Sequence, residues 1–188
     1  EELKTHQMES EEVKKERLVV KGLSVERKNE VPLLSDIDFS IHEGEILGVA
    51  GVSGNGQQEL CEAIYGYLRP TKGKVTLDGE DITSLDVRKH IERGIGYLAS
   101  DRYRYSMVAD MSLSENMLLK ASYLDKWIKK GVINWKKLAD YTDKAIKDYT
   151  IKAPGHDITI GSLSGGNQQK VVVAREVDMG DNLIIIDQ

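Results

Sequence analysis

A short apolar run followed by a glycine-rich loop is the feature that most constrains the fold of this chain. Residues 46–50 have the sequence Ile-Leu-Gly-Val-Ala and are apolar on both faces, as in a parallel strand that is buried on both sides. Residues 51–58 contain three glycines, and the following segment places Leu60, Ala63 and Ile64 on one side of a predicted helix. A strand, a glycine-rich loop and a helix in this order predict an α/β fold whose loop can surround a phosphate group.

The remaining segments extend the α/β pattern on both sides of this unit. Apolar and alternating runs predict strands, and segments with a capping residue and a helical period predict helices. In chain order, further strands are predicted at 18–20, 37–41, 73–77, 95–98 and 183–187, and further helices at 86–93, from 112, from 134 and from 165. These elements predict a charged tail or linker at 1–16, a β subdomain with the glycine loop at 17–100, an α-helical subdomain at 101–160, and a helix and strand that return to the core at 161–188.

A second glycine-containing segment predicts a helix start that faces an anion. Residues 163–170 have the sequence Leu-Ser-Gly-Gly-Asn-Gln-Gln-Lys. Ser164 is expected to cap the helix through its hydroxyl group, and Gly165 and Gly166 leave backbone N–H groups open to close approach. Considered alone, Ser-Gly-Gly is an ordinary flexible turn, so the meaning of this segment depends on the rest of the sequence.

Composition excludes several classes of protein. The 26 basic and 31 acidic residues give a net charge of −5, which argues against a general nucleic-acid surface. The single cysteine, Cys61, excludes a disulfide within the chain and fits a reducing compartment. No apolar run is long enough to span a membrane, so any link to a membrane is expected to go through a partner.

Residues 163–170 resemble the signature motif of ATP-binding-cassette (ABC) ATPases, and their Asn-Gln-Gln ending is similar to the form found in simple-sugar and nucleoside importers. The loop at 51–58 resembles a Walker A loop, residues 94–102 resemble the Gly-Tyr-Val-Pro-Glu-Asp-Arg segment of sugar-importer cassettes, and residues 183–187 resemble a Walker B strand. The resemblance covers approximately residues 17–188. It implies a P-loop NTPase of the ABC cassette type, with an N-terminal antiparallel β subdomain and an α-helical subdomain.

The closest likeness is to the second, C-terminal cassette of a tandem importer ATPase, ending after the Walker B strand. The resemblance implies ATP and Mg²⁺ as ligands. It implies phosphate contacts from Gly51, Ser53, Gly54, Asn55, Gly56, Gln57 and Gln58 in the loop, and from Ser164, Gly165, Gly166 and Gln168 in the signature. Asp187 would contribute to Mg²⁺ binding and orient a Mg²⁺-bound water, and Gln188 occupies the position of the family's catalytic glutamate.

Three glutamines depart from the family pattern. Gln57 replaces the lysine that reaches the β- and γ-phosphates, and Gln58 replaces the hydroxyl residue that holds Mg²⁺. An amide carries no charge, so both phosphate and metal affinity should fall. Gln188 cannot act as a general base. The alternative for the loop is a tight strand-to-helix turn with no nucleotide role. Asp101 and Arg102 fit a local solvated pair as well as they fit a functional role.

The resemblance implies a nucleotide-binding cassette that couples ATP binding and hydrolysis to the uptake of nucleosides or simple sugars. This cassette would supply its signature to the ATP site of a partner cassette, in the N-terminal half of the same polypeptide. Its further partners would be membrane permease subunits and, indirectly, a solute-binding protein, with no nucleic acid. Its location would be the cytoplasmic face of the cell membrane. The alternatives are a non-catalytic scaffold that docks a permease, and a soluble ABC protein of translation or DNA repair.

Overall fold

The computed structural model describes residues 14–122 and 127–187 of the chain. Residues 1–13 of the predicted tail lie outside the described residues, and so does Gln188, at the position of the family's catalytic glutamate. Every predicted helix and strand within the described ranges is present, except the strand at 46–50. None of the described helices is both long and apolar enough to cross a membrane.

An antiparallel sheet forms the N-terminal part of the fold. It contains β1 (Glu16–Val25), β2 (Leu34–His42), β3 (Lys72–Leu77) and β4 (Glu80–Asp81), in the order β2-β1-β3-β4. Alternate residues of β1 enter the core, where Leu18 and Val20 are each 1% exposed. Asp78 and Gly79 join β3 to β4 with positive φ angles of 51° and 82°, as a tight hairpin turn requires. The antiparallel β subdomain implied by the resemblance is confirmed.

Two parallel strands form a separate sheet. These strands are β5 (Ile95–Leu98) and β8 (Leu183–Ile186), and they pair along their whole length, so their carboxyl ends lie side by side. The helix α6 (Gly165–Met179) packs on β5 at Gly96, where a Cβ atom would lie 2.8 Å from the carbonyl oxygen of Glu176. A side chain at this position would therefore force the helix away from the strand.

The prediction of a strand at residues 46–50 is wrong. These residues have no strand pairing, and Ile46 is 96% exposed, Leu47 41% and Val49 57%. A parallel strand needs a neighbour to bond its N–H and C=O groups, and among the described residues the parallel sheet consists of β5 and β8 alone. Residues of the 46–50 segment and of β8 instead line one shared cavity. The sequence indicates that this segment is apolar, but whether it forms a strand depends on a neighbouring strand to pair with.

Five further α-helices and a small hairpin complete the described fold. They are α1 (Gln57–Tyr65), α2 (Val87–Glu92), α3 (Arg102–Tyr105), α4 (Leu113–Ala121) and α5 (Trp135–Asp148), with a small hairpin of β6 (Ile128–Lys129) and β7 (Val132–Ile133). The predicted capping box at Ser112 and Glu115 is confirmed at the start of α4. Asn134 caps α5 by accepting a hydrogen bond from the backbone N–H of Lys137, at 3.0 Å. The helix α3 and the β6–β7 hairpin were not predicted.

Two hydrophobic clusters hold the described residues together. The first joins the antiparallel sheet to α1 and β5, and the second joins α4, α5 and α6. The side chains of Tyr141 on α5 and of Tyr149, directly after α5, both donate hydrogen bonds to the carboxylate of Asp178 on α6, at 2.6 and 2.7 Å. Because α6 contacts β5 as well as α4 and α5, this helix connects the two clusters.

Candidate functional site

The glycine-rich loop ends at the first turn of α1. Gly56 precedes this helix with a φ of 94°, and a Cβ atom at this position would lie 2.8 Å from the carbonyl oxygen of Leu33. Gly54 also has a positive φ, of 87°, but has open space around it. The backbone N–H groups at the start of a helix can bind an anion, and an exposed loop with small side chains leaves them accessible.

The side chain of Gln57 folds back into this loop. Its Nε2 donates a hydrogen bond to the carbonyl oxygen of Val52, at 3.2 Å. The same amide lies against Gly51, where any Cβ atom would collide with it. The position that carries a lysine in the family pattern therefore holds a neutral group that bonds to the loop itself.

The side chain of Gln58, in contrast, bonds along α1 and not to the loop. Its Nε2 donates to Oε1 of Glu62 one helical turn later, at 2.8 Å. This is an ordinary pair along a helix surface, and it gives the side chain a partner within α1. The two glutamines thus supply neither the cation nor the hydroxyl group that the family pattern has at these positions.

Asp187 follows β8 and accepts hydrogen bonds from two residues near the end of β5. Its Oδ2 is 3.1 Å from the Ser100 hydroxyl and 3.4 Å from the Tyr97 hydroxyl, and its own N–H donates to the carbonyl oxygen of Leu98. Burial, and then the charge of Asp187, raise the pKa of Tyr97, so this hydroxyl remains a neutral donor. Sequence reasoning missed Ser100 and Tyr97, although groups at the carboxyl ends of adjacent parallel strands are expected to meet.

A cavity of about 720 Å³ brings the glycine loop and Asp187 together. Its polar lining comes mainly from the predicted site residues Gly51, Ser53, Gly54, Gly56, Gln57, Gln58 and Asp187, together with Ser100. Asn55 is not part of this lining; its backbone N–H donates to the carbonyl oxygen of Val52 at 3.2 Å. Cys61 also lines the cavity, and burial, followed by the charge of Asp187, raises the pKa of its thiol to about 11. None of residues 163–170 lines the cavity, so the signature segment lies elsewhere.

The signature segment begins α6, but the predicted capping role of the Ser164 side chain is wrong. The backbone N–H groups of Asn167 and Gln168 both bond to the carbonyl oxygen of Ser164, at 2.9 Å each. These two N–H groups therefore do not need the Ser164 hydroxyl as an acceptor. The Ser164 Oγ instead accepts a hydrogen bond from Nδ2 of Asn167, at 2.9 Å, and the residue is exposed.

Gln168 is buried beneath the signature and does not face solvent. It is 2% exposed, and its Nε2 donates to the carbonyl oxygens of Ile160 and Leu163, at 3.3 and 3.0 Å. Its Oε1 accepts from the hydroxyl of Tyr103, at 2.8 Å. This burial does not match the predicted contact with a ligand. Gly166 is exposed and has open space around it, so of these two residues only Gly166 is placed for such a contact.

Of the two possibilities for Asp101 and Arg102, the local pair does not form, because the Arg102 guanidinium lies against the signature. Asp101 caps α3 by accepting from the backbone N–H of Arg104, at 3.1 Å. The Arg102 guanidinium stands over the Tyr103 ring and would be 2.9 Å from a Cβ atom on Gly165. Its Nε has no hydrogen-bond partner among the described residues. A positive side chain is thus held at the positive end of α6.

A family model described as "ABC transporter" matches residues 34–188. The chain belongs to this family. The cassette is 36% identical over 173 residues to the guanosine import ATP-binding protein NupO of Bacillus subtilis, covering 92% of this chain and 34% of that protein. It is 36% identical over 169 residues to the ribose import ATP-binding protein RbsA of Lacticaseibacillus paracasei, covering 90% and 32%. The chain therefore spans about a third of the length of these relatives.

Solved structures of ABC cassettes have the same fold. A nucleotide-free ATP-binding cassette from an ABC transporter matches with a TM-score of 0.69 and 24% identity, covering 92% of this chain and 69% of that one. A dimeric cassette in a post-hydrolysis state, bound to ADP and phosphate, matches with a TM-score of 0.73 and 22% identity, covering 91% and 73%. The predicted ABC cassette fold is confirmed.

The donor set of the cassette fits Mg²⁺ only in part. No group of three His, Cys, Asp or Glu side chains within residues 14–122 and 127–187 is placed to hold a metal ion. Asp187 and Ser100 offer one carboxylate and one hydroxyl group at the cavity edge. Mg²⁺ commonly uses one or two carboxylates, water and the phosphates of its substrate, so these residues would hold it chiefly through a bound nucleotide.

A buried charge cluster fixes α6 of the cassette to the rest of the fold. Glu176 is 0% exposed and accepts hydrogen bonds from the backbone N–H of Tyr97, from Arg175 and from Lys120. Arg175 in turn donates to the carbonyl oxygens of Ser106 and Asn116, at 2.7 and 3.0 Å. Sequence reasoning missed this cluster, whose one signal was two adjacent charges within an otherwise apolar part of α6.

Proposed function

We propose that this cassette is one of two in an importer ATPase for nucleosides or simple sugars, and that it activates ATP bound by the other cassette. The curated relatives named above import guanosine and ribose. The observation that carries the proposal is an asymmetry between two motifs. In the loop at 51–58 the neutral Gln57 and Gln58 side chains bond to Val52 and Glu62, whereas the signature has an exposed Ser164 and Gly166.

The cassette's own nucleotide site is proposed to be weak. Gln57 and Gln58 use their amide donors on Val52 and Glu62, so an incoming phosphate would meet backbone N–H groups without a cation. Asp187 would contribute to Mg²⁺ binding, and Gln188 would not activate water. ATP bound here would therefore be held loosely and turned over slowly or not at all.

The signature is proposed to act on a nucleotide in trans. In an arrangement where two cassettes dock head to tail, each ATP lies between one Walker A loop and the opposite signature. The hydroxyl of Ser164 and the N–H groups of Gly165 and Gly166 are then the donors for the partner's nucleotide. Arg102, placed against Gly165, adds positive potential at the same end of α6.

The proposed partners follow from this role. The N-terminal half of the same polypeptide would supply the second cassette, and permease subunits would dock the pair at the cytoplasmic face of the membrane. A solute-binding protein would act through the permease, and no nucleic acid would be involved. The divisions at 1–16, 17–100, 101–160 and 161–188 are proposed as tail or linker, β subdomain with glycine loop, helical subdomain, and returning helix and strand.

Ser164→Arg in the complete protein that contains this cassette tests the proposal. A bulky cation at the signature should abolish stimulated ATP hydrolysis in the purified complex with its permease. Ser35→Arg is the matched control, because Ser35 is exposed on β2, an edge strand of the antiparallel sheet. Unchanged hydrolysis in Ser164→Arg would indicate a non-catalytic scaffold instead. Failure to co-purify with any permease would favour a soluble ABC protein of translation or DNA repair.

A further inference from the structure

We propose that Asn167 is a positioning residue that directs the Ser164 hydroxyl proton toward the phosphate of the partner's nucleotide. This inference rests on the proposed role of the signature in trans. The proposed function concerns the signature groups that face the anion. The further inference adds the Asn167 side chain, which sets the direction of the Ser164 hydroxyl proton. Asn167 lies in the first turn of α6, three residues after Ser164.

The orientation of the Asn167 amide is fixed from outside the helix. Its Oδ1 accepts a hydrogen bond from the backbone N–H of Lys152, at 2.9 Å. A backbone N–H can only donate, so the oxygen of the amide must face Lys152 and the nitrogen must face the other way. That nitrogen, Nδ2, lies 2.9 Å from the Ser164 Oγ.

This contact determines how Ser164 can act. The Nδ2 group is a donor, so the Ser164 Oγ is the acceptor and its own proton is directed elsewhere. The hydroxyl is not needed by the helix, because the N–H groups of Asn167 and Gln168 already bond to the Ser164 carbonyl oxygen. Ser164 is exposed, so its proton remains free for a ligand. The relay from Lys152 through Asn167 therefore prepares Ser164 as a hydrogen-bond donor.

The surroundings favour an anionic acceptor for that proton. Ser164 stands at the positive end of α6, and the Arg102 guanidinium lies against the adjacent Gly165. Donors to a charged phosphate oxygen form stronger hydrogen bonds than donors to neutral groups. Asn167 thus keeps the Ser164 hydroxyl in the donor state that an anion requires.

Asn167→Asp gives a sharp test because it reverses the hydrogen bond with little change in shape. One carboxylate oxygen can still accept from the Lys152 N–H, while the other now accepts the Ser164 proton. We expect kcat/KM for ATP hydrolysis in the complete protein to fall at least about tenfold, the scale of one hydrogen bond to a charged group. Negative charge in the first turn of a helix is stabilising, so thermal unfolding should occur at an unchanged or higher temperature.

A double-mutant cycle with Ser164→Ala separates positioning from simple charge repulsion. If Asn167 acts through the Ser164 hydroxyl, Asn167→Asp should have less than about a third of its effect in the Ser164→Ala background. The matched control is Asn134→Asp, which places the same charge at the start of α5, where Asn134 also accepts a backbone N–H bond. This variant should hydrolyse ATP at the wild-type rate.

The outcomes distinguish the two proposals. Loss of hydrolysis in Ser164→Arg with wild-type activity in Asn167→Asp overturns the positioning role and leaves the signature role intact. An equal effect of Asn167→Asp with and without the Ser164 hydroxyl also overturns it, as does a lowered unfolding temperature that accounts for the loss. Wild-type hydrolysis in Ser164→Arg overturns the proposed function itself.

Discussion

The side-chain amide of Gln57 donates to the carbonyl oxygen of Val52 and occupies the inside of the glycine loop. The loop keeps the backbone form of a phosphate site, with Gly54 and Gly56 at positive φ angles. The inner surface of the loop is nevertheless already hydrogen-bonded to the side chain of Gln57, the first residue of α1. A phosphate would have to displace this amide and would find no cation in its place. This single contact is the physical basis for our proposal that the cassette's own nucleotide site is weak.

Replacing Gln57 should therefore strengthen nucleotide binding. The wild-type chain is expected to bind ATP more weakly than low-micromolar, and Gln57→Lys should lower the dissociation constant about tenfold or more, since a charged donor replaces a neutral one. Isothermal titration calorimetry with Mg-ATP measures both values. Ser35→Lys adds the same charge on β2 and should leave binding unchanged. Low-micromolar binding by the wild-type chain would mean that the loop backbone suffices.

The chain of 188 residues is expected to show negligible Mg-ATPase activity. Gln57 and Gln58 supply no charge or hydroxyl group, Gln188 is no general base, and the signature of a second cassette is needed to complete a site. A coupled assay for ADP release measures this directly. A turnover near roughly 10 per second, the median for enzymes, would contradict the expectation.

Glu176→Gln should strongly destabilise the fold. The buried carboxylate accepts from Arg175 and Lys120, and its neutralisation leaves the buried Arg175 and the partly buried Lys120 without a counter-charge. The expected loss is about 3–5 kcal/mol in the free energy of unfolding, measured by urea denaturation. Glu92→Gln is the control, since the pair of Glu92 with Arg88 is exposed and should contribute less than about 1 kcal/mol. Similar losses in both variants would contradict a special role for the buried cluster.

Two glycines of the loop should respond differently to alanine. Gly54→Ala should cost about 1 kcal/mol, because the residue has a positive φ but open space around it. Gly56→Ala should cost about 2–3 kcal/mol, because its new methyl group also meets the Leu33 carbonyl oxygen. Thermal or urea unfolding of the two variants gives the difference. Equal costs would indicate that the backbone at Gly56 shifts freely away from Leu33.

The stability contribution of His156 should be largest at acidic pH. A hydrogen bond that the His156 imidazole donates to the Asp143 carboxylate, assisted by the charges of Asp143 and Asp157, raises the pKa of His156 above its usual 6.5. A raised folded-state pKa means that the contribution is fully present below the unfolded value and is lost as pH rises through the folded value. The stability difference between wild type and His156→Gln should therefore shrink as the pH rises above 6.5 and through the raised pKa of the folded state. A difference that grows with pH would contradict this assignment.

The sequence predicted most local structure because the information was local. The capping box of Ser112, the cap of Asn134 and the Asp78–Gly79 turn each depend on residues a few positions apart. Four ordered motifs also identified the ABC cassette fold. The candidate site was predicted less completely, since the hydroxyl groups of Tyr97 and Ser100 reach Asp187 across about 90 residues of sequence.

The sequence by itself determined most of the helices and strands and their order, the family, and the loss of charge at Gln57. Tertiary structure decided whether residues 46–50 form a strand and where the polar side chains point. Strand pairing requires a neighbour, and a hydroxyl or amide turns toward whichever partner the fold supplies. Ser164 illustrates this, because its Oγ accepts from Asn167, whose own amide oxygen accepts from the N–H of Lys152, outside α6.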